Sequence, residues 1–231
     1  SKVGFAYSLE ILVKCNRLNY KITEIPKLVN TTETFNKEHL DLLLKMNPKV
    51  VSFHFGLPNE NYIKSIKNQN IYIISSATTV KEAKILENSG ADAIIAQGYE
   101  AGGHRGTFAS TYKEGEIGLF SLLPQVVDAT SVPIIAAGGI ANGKGIAAAL
   151  MLGAEGVQLG TAFLSCPEAS VHPLWKKALS EASKRETRIT TAFTGRPARG
   201  IVNRLIKDME NKNDIIMLLG CLLYTSPSPR D

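Results

Sequence analysis

At 231 residues and 44% hydrophobic content, the chain can bury a substantial core, most simply as one domain. Lys and Arg number 26 against 21 Asp and Glu, a net charge of +5, too mild and too dispersed an excess to point to nucleic acid. Cys15, Cys166 and Cys221 are widely spaced and odd in number, so they suggest neither a disulfide framework nor a metal motif. No apolar run reaches the length of a membrane span, Ile215–Tyr224 coming nearest, and Lys14 and Arg17 break any signal-peptide core. The default expectation is a cytoplasmic protein with no membrane partner.

Residues 1–49 read mainly as helices broken near Pro26, with Leu40, Leu42, Leu43 and Leu44 supplying an apolar face. Beyond them, short apolar runs recur at Val50–Phe55, Ile71–Ser75, Ala91–Ala96, Val132–Ala137 and Gly156–Gly160. Strands covered on both faces are apolar almost throughout in this way. Helical signals lie between them. Thr79 with Glu82 fits a capping box closed by a stop at Gly90, and Asn142 can cap a helix ending at Gly153. The alternation predicts a parallel α/β sheet. Residues 106–119 are a polar loop that suits the mouth of a site, although an inert connection fits as well. Leu174–Lys184 reads as an outer amphipathic helix in which Trp175 is packed. Residues 50–213 form the expected binding portion. Residues 214–231 end in a turn-rich, low-complexity tail, for which a native end and a non-native read-through both stand open.

The densest chemical signal is Gly98–Gly106, where His104 stands among four glycines directly after an apolar run. Such backbone can close on a flat ligand, and the histidine can move a proton near neutral pH. Gln97 can meet the edge of a heterocycle or make a buried structural bond. Ala136–Ile140 and Gln158–Thr161 end successive strands in small residues, a pattern that can hold a phosphate on backbone amides or simply make tight turns. Arg105 steers an anion or forms an ion pair, and His54 is a secondary candidate. His39 and His172 have no chemical company in sequence, and no spacing suggests a metal centre. In Thr191–Gly200, a segment with little room for regular structure, two arginines around Gly and Pro favour architectural locking to carboxylates or carbonyls, with contact to cofactor phosphate or substrate as the alternative. No dinucleotide fingerprint follows a strand.

In order and spacing, Ser52–Gly56, Ala77–Val80, Gln97 with Glu100–Gly106, Ala136–Ile140, Gln158–Phe163 and Thr194–Gly200 resemble the nitronate monooxygenase family. The resemblance implies an FMN-dependent TIM (β/α)8 barrel, with approximately the last five strands present, the first three missing, and a chain incomplete at its N-terminus. It implies that Gln97 and Gly102 contact the flavin, that Gly139, Gln158, Leu159, Gly160 and Thr161 cradle its ribityl phosphate, and that His104 lies at its reactive side. The implied reaction is oxidation of alkyl nitronates by O2 to a carbonyl compound and nitrite, with His104 as base or orienting group. The alternatives are an FMN- and NAD(P)H-dependent enoyl-acyl-carrier-protein reductase, which shares the Glu-Ala-Gly-Gly-His type of loop, and a non-catalytic truncated fragment.

Overall fold

The computed structural model describes residues 35–181, 186–192 and 194–209, together with the backbone of 11–14. The break expected at Pro26, the cysteines Cys15 and Cys221, and the segment 214–231 lie outside these residues. In chain order the elements begin with β1 (Ile11–Lys14), α1 (Lys37–Met46), β2 (Val50–Phe53), α2 (Glu60–Lys67), β3 (Tyr72–Ala77), α3 (Val80–Asn88) and β4 (Ala93–Gln97). They continue with β5 (Gly103–His104), a 3-10 turn at Lys113–Gly115, α4 (Leu119–Ala129), β6 (Ile134–Ala137), α5 (Gly143–Met151) and β7 (Gly156–Leu159). The last are α6 (Thr161–Leu164), α7 (Pro173–Ser180), β8 (Thr187–Thr190), β9 (Ala198–Ile201) and α8 (Arg204–Met209).

Two compact units result. One takes its residues from Leu12–Tyr99 and Gly106–Gln158; the other includes Glu100–Arg105 and the chain from Leu159 onward. In the first, a sheet runs in the order β1-β7-β6-β4-β3-β2, with the four pairings from β7 to β2 all parallel. All five expected strands are present within a few residues of their expected bounds. β1 (Ile11–Lys14) corrects the helical reading of residues 1–49, in which no strand was expected.

The sheet is apolar on both faces. Val51, Phe53 and Ile73 pack with Leu40 and Leu43 of α1 and Ile63 and Ile66 of α2. The other face carries Val50, Ile74, Ala93, Ile95, Ile135 and Ala137. This explains why the strands lack polar alternation.

Three helices return to the sheet by one device. Asn70, Gly90 and Gly153 have left-handed φ of 56°, 97° and 96°. The next residue's amide then reaches back five residues, in Ile71 N–Ile66 O, Ala91 N–Leu86 O and Ala154 N–Ala149 O. These are Schellman closures, and the residue making each long bond, Ile71, Ala91 or Ala154, is buried. One residue later the chain is already paired: the amides of Tyr72, Asp92 and Glu155 donate to Lys49 O, Ile73 O and Ile134 O. The helices start as expected at Thr79 and Asn142, whose side chains accept from Glu82 N and Gly145 N.

In the second unit, β5-β9-β8 form a small antiparallel sheet. It gives regular structure to Ala198–Gly200, where little was expected, because Gly195 and Pro197 precede the strand. Arg199 donates to Thr187 Oγ1 at 3.0 Å, tying β9 to β8. Trp175 on α7 is 40% exposed, so the expectation that it packs is corrected: the short helix presents it to solvent.

Gly153 has φ +96°, and a Cβ there would stand 2.9 Å from Val127 Cγ1. Gly153→Ala is therefore expected to lower unfolding free energy by about 1–3 kcal/mol in urea denaturation, whereas Gly143→Ala, where nothing lies within 4 Å, should be close to neutral.

Candidate functional site

The sheet register sorts the polar side chains. Gln97 pairs with Ala137, and Ala137 with Gln158, so the two glutamines lie in one row across the C-terminal ends of β4, β6 and β7. With a two-residue side-chain period they share a sheet face with Ile95 and Ile135. Ser76, paired with Ile95, belongs to the same face. Its Oγ lies 3.1 Å from Nδ1 of His54, just beyond β2. Within this unit, then, an apolar face ends in His54, Ser76, Gln97 and Gln158. Ligand sites of parallel sheets form at this end of the strands.

Around this edge the backbone is tightly set. Phe55 has a left-handed φ of 66° and Gly56 one of 88°, a strained turn for an aromatic residue. Gly138 and Gly139 follow β6 with φ of 115° and 69°. The Gly106 amide donates to Gln97 Oε1 at 2.8 Å, and a Cβ on Gly106 would lie 2.8 Å from His54 Cε1. Gln97 thus uses its side-chain oxygen in a structural bond that fixes the carboxamide against the loop. Tyr99 and Tyr112 meet hydroxyl to hydroxyl at 3.5 Å. Burial, reinforced by hydrogen bonds to Tyr99 and Glu116, pushes the Tyr112 phenol above the ordinary tyrosine range.

The second unit gathers the other expected residues. His104, half-buried on β5, has Nε2 2.7 Å from Thr194 Oγ1. β5 is held by pairing with Arg199 and Ala198 and by the bond from Arg105 N to Pro197 O. Arg105 is 2% exposed, so it is a buried side chain and no surface steering group. Gly102 packs against α6: a Cβ would approach Thr161 Oγ1 to 2.6 Å, so the glycine has an architectural reason as well as the expected one. Leu159 is buried. At Gly160, by contrast, a Cβ would meet nothing within 4 Å, leaving open space before α6.

His39 and His172 have structural roles. His39 Nδ1 accepts from Asn36 N in the capping box of α1, and His172 Nδ1 accepts from Leu174 N at the start of α7. Sequence reasoning missed Ser76 and Thr194 as partners of the two site histidines. Ser75–Ser76 inside an apolar strand was a signal for the first; nothing local to Thr194 signalled the second. Among the described residues no group of three or more His, Cys, Asp or Glu could hold a metal ion, and no helix is long and apolar enough to cross a membrane.

Residues 9–220 match the family model described as nitronate monooxygenase. The chain is 47% identical over 173 residues to the probable nitronate monooxygenase of Bacillus subtilis (strain 168), covering 75% of this chain and 50% of that protein. It is 46% identical over 187 residues to the probable nitronate monooxygenase of Staphylococcus aureus (strain MRSA252), covering 80% of this chain and 53% of that one. The structure of nitroalkane oxidase from Streptomyces ansochromogenes superposes with a TM-score of 0.71 at 46% identity, over 74% of this chain and 50% of that one. That of FabK from Thermotoga maritima gives 0.67 at 35%, over 79% and 56%. The chain spans about half the length of the curated relatives it matches. Parallel strands, motif order and these likenesses agree: the chain belongs to the nitronate monooxygenase family, a family of enzymes of α/β barrel type.

Proposed function

We propose that this chain carries an FMN site for the oxidation of alkyl nitronates, and of nitroalkanes after deprotonation, by O2 to a carbonyl compound and nitrite. The observation that carries the reading is His104: the family match encloses a half-buried imidazole whose ring is fixed by Thr194 at 2.7 Å. Features of each unit, taken by itself, support a phosphate-bearing flavin. Open space faces Gly160, Gly138 and Gly139 bend the chain after β6, and Gln97 and Gln158 stand in one row at the strand ends. Gln97, Gly102, Gly139, Gln158, Leu159, Gly160 and Thr161 are assigned to hold it, the glutamines through side-chain amides and the glycines through backbone. When bound, FMN supplies the electron-accepting centre of the reaction.

His104 has two tasks that depend on the substrate. A neutral nitroalkane must lose a carbon-bound proton, and the imidazole takes it up. In the charged ring Nε2–H donates to Thr194 Oγ1, a bond that also prevents the ring from swinging away. A nitronate arrives already deprotonated, so His104 only orients it.

His104→Gln should therefore lower kcat/KM for a neutral nitroalkane by about 10²- to 10⁴-fold, and far less for the matching nitronate, in assays of nitrite release. Equal losses on both would remove the base role. The cofactor assignment is read from visible absorbance after FMN titration and desalting: the chain should retain a structured flavin spectrum. Gly160→Val should weaken FMN binding about tenfold or more by filling the open space, with an unchanged Tm. The reductase reading gains if NADH or NADPH is consumed with an enoyl thioester while nitronates release no nitrite.

A further inference from the structure

Glu82 is completely enclosed, at 0% exposure, on the first turn of α3. Its Oε2 accepts from Thr78 N at 2.8 Å and from Thr78 Oγ1 at 2.7 Å. Its Oε1 accepts from three consecutive loop amides, Phe108 N at 2.8 Å, Ala109 N at 3.1 Å and Ser110 N at 3.2 Å. Three successive inward-pointing amides form a concave anion nest. Here the anion is part of the chain itself. Without an acceptor at its centre, the loop would bury three donors unsatisfied, a costly arrangement. The Thr78 and Thr107 hydroxyls, 3.0 Å apart, and those of Thr79 and Ser110, 2.9 Å apart, add two outer ties.

The tied loop begins immediately after Gly106, whose amide holds Gln97 Oε1 and where a Cβ would run into His54 and Ser76. We propose that Glu82 is a positioning residue: by holding residues 107–110 it places the Gly106 amide on Gln97 and so fixes the orientation in which that side chain meets the bound ligand. A capping role alone would not need the loop. The carboxylate contacts neither Gln97 nor Gly106 directly; it acts through a short stretch of rigid backbone. The inference rests on the function proposed above only in taking that ligand to be FMN.

The test compares Glu82→Gln, which keeps the shape but puts an NH2 group among donors, with Ser110→Ala, which removes only an outer tie, and with Gln97→Ala as reference. In the ligand-free chain, followed by NMR, Glu82→Gln should speed hydrogen exchange of the Gly106 amide about tenfold or more and shift the Gln97 side-chain NH2 resonance. Ser110→Ala should move both in the same direction by less. In FMN titrations Glu82→Gln should weaken binding about tenfold, and the double variant Glu82→Gln/Gln97→Ala should bind no more weakly than Gln97→Ala alone. Faster exchange confined to residues 108–110, or additive losses in binding, would overturn the proposal. If Glu82→Gln does not fold, an unchanged Gly106 amide in Ser110→Ala overturns it. If the unsubstituted chain binds no FMN, the proposed function fails, while the ligand-free exchange data still decide the role of Glu82.

Discussion

A parallel strand enclosed on both faces has nowhere to put a polar side chain except at its ends. That constraint governs the larger unit of this protein. β3, β4, β6 and β7 are buried almost along their whole length, and the side chains able to recognise a ligand are confined to one edge. The row of Gln97, Ala137 and Gln158 follows from register alone. A one-residue slip in any strand would send its glutamine to the opposite face, where the helices pack. The same burial that stabilises the sheet thus also fixes the direction in which its functional groups point.

The loops then refine what the strands deliver. Tight backbone is used at Gly106 and Gly115, where a Cβ would come within 2.8 Å of His54 Cε1 and Thr78 Oγ1 respectively. Buried Glu82 holds the loop through three consecutive backbone amides, Phe108, Ala109 and Ser110. In the smaller unit, the loop bearing His104 is fixed by different means: a two-residue strand, a backbone bond from Arg105 to Pro197, and the hydroxyl of Thr194. Neither histidine is left to its own rotamer preference, since His54 has Ser76 and His104 has Thr194. Such second partners are what give a catalytic ring a defined orientation.

Much of this was legible in the sequence because it rests on local rules. The five apolar runs, the Asn142 and Thr79 caps and the stops at Gly90 and Gly153 involve neighbours within a single helical turn or strand. The order of the glycine-rich stretch around His104 and its companion motifs pointed to the family. What escaped was non-local. Thr194 lies 90 residues from His104, and Glu82 reaches loop amides 26 to 28 residues away. Within its own helix Glu82 looked like half of a capping box, although its carboxylate passes over the cap to Thr78. Trp175 escaped because an amphipathic pattern does not reveal how wide the covered stripe is.

The three Schellman returns at Asn70, Gly90 and Gly153 separate two quantities that might have been coupled, the length of a helix and the alignment of the strand that follows it. Each return ends its helix and, two residues after its left-handed residue, ties the chain to the preceding strand. The alignment is therefore reset at each of these three returns and is not inherited from the one before. Helices on the outside of such a sheet are free to lengthen or shorten by whole turns over evolutionary time. The chemistry at the strand ends stays aligned while the periphery drifts.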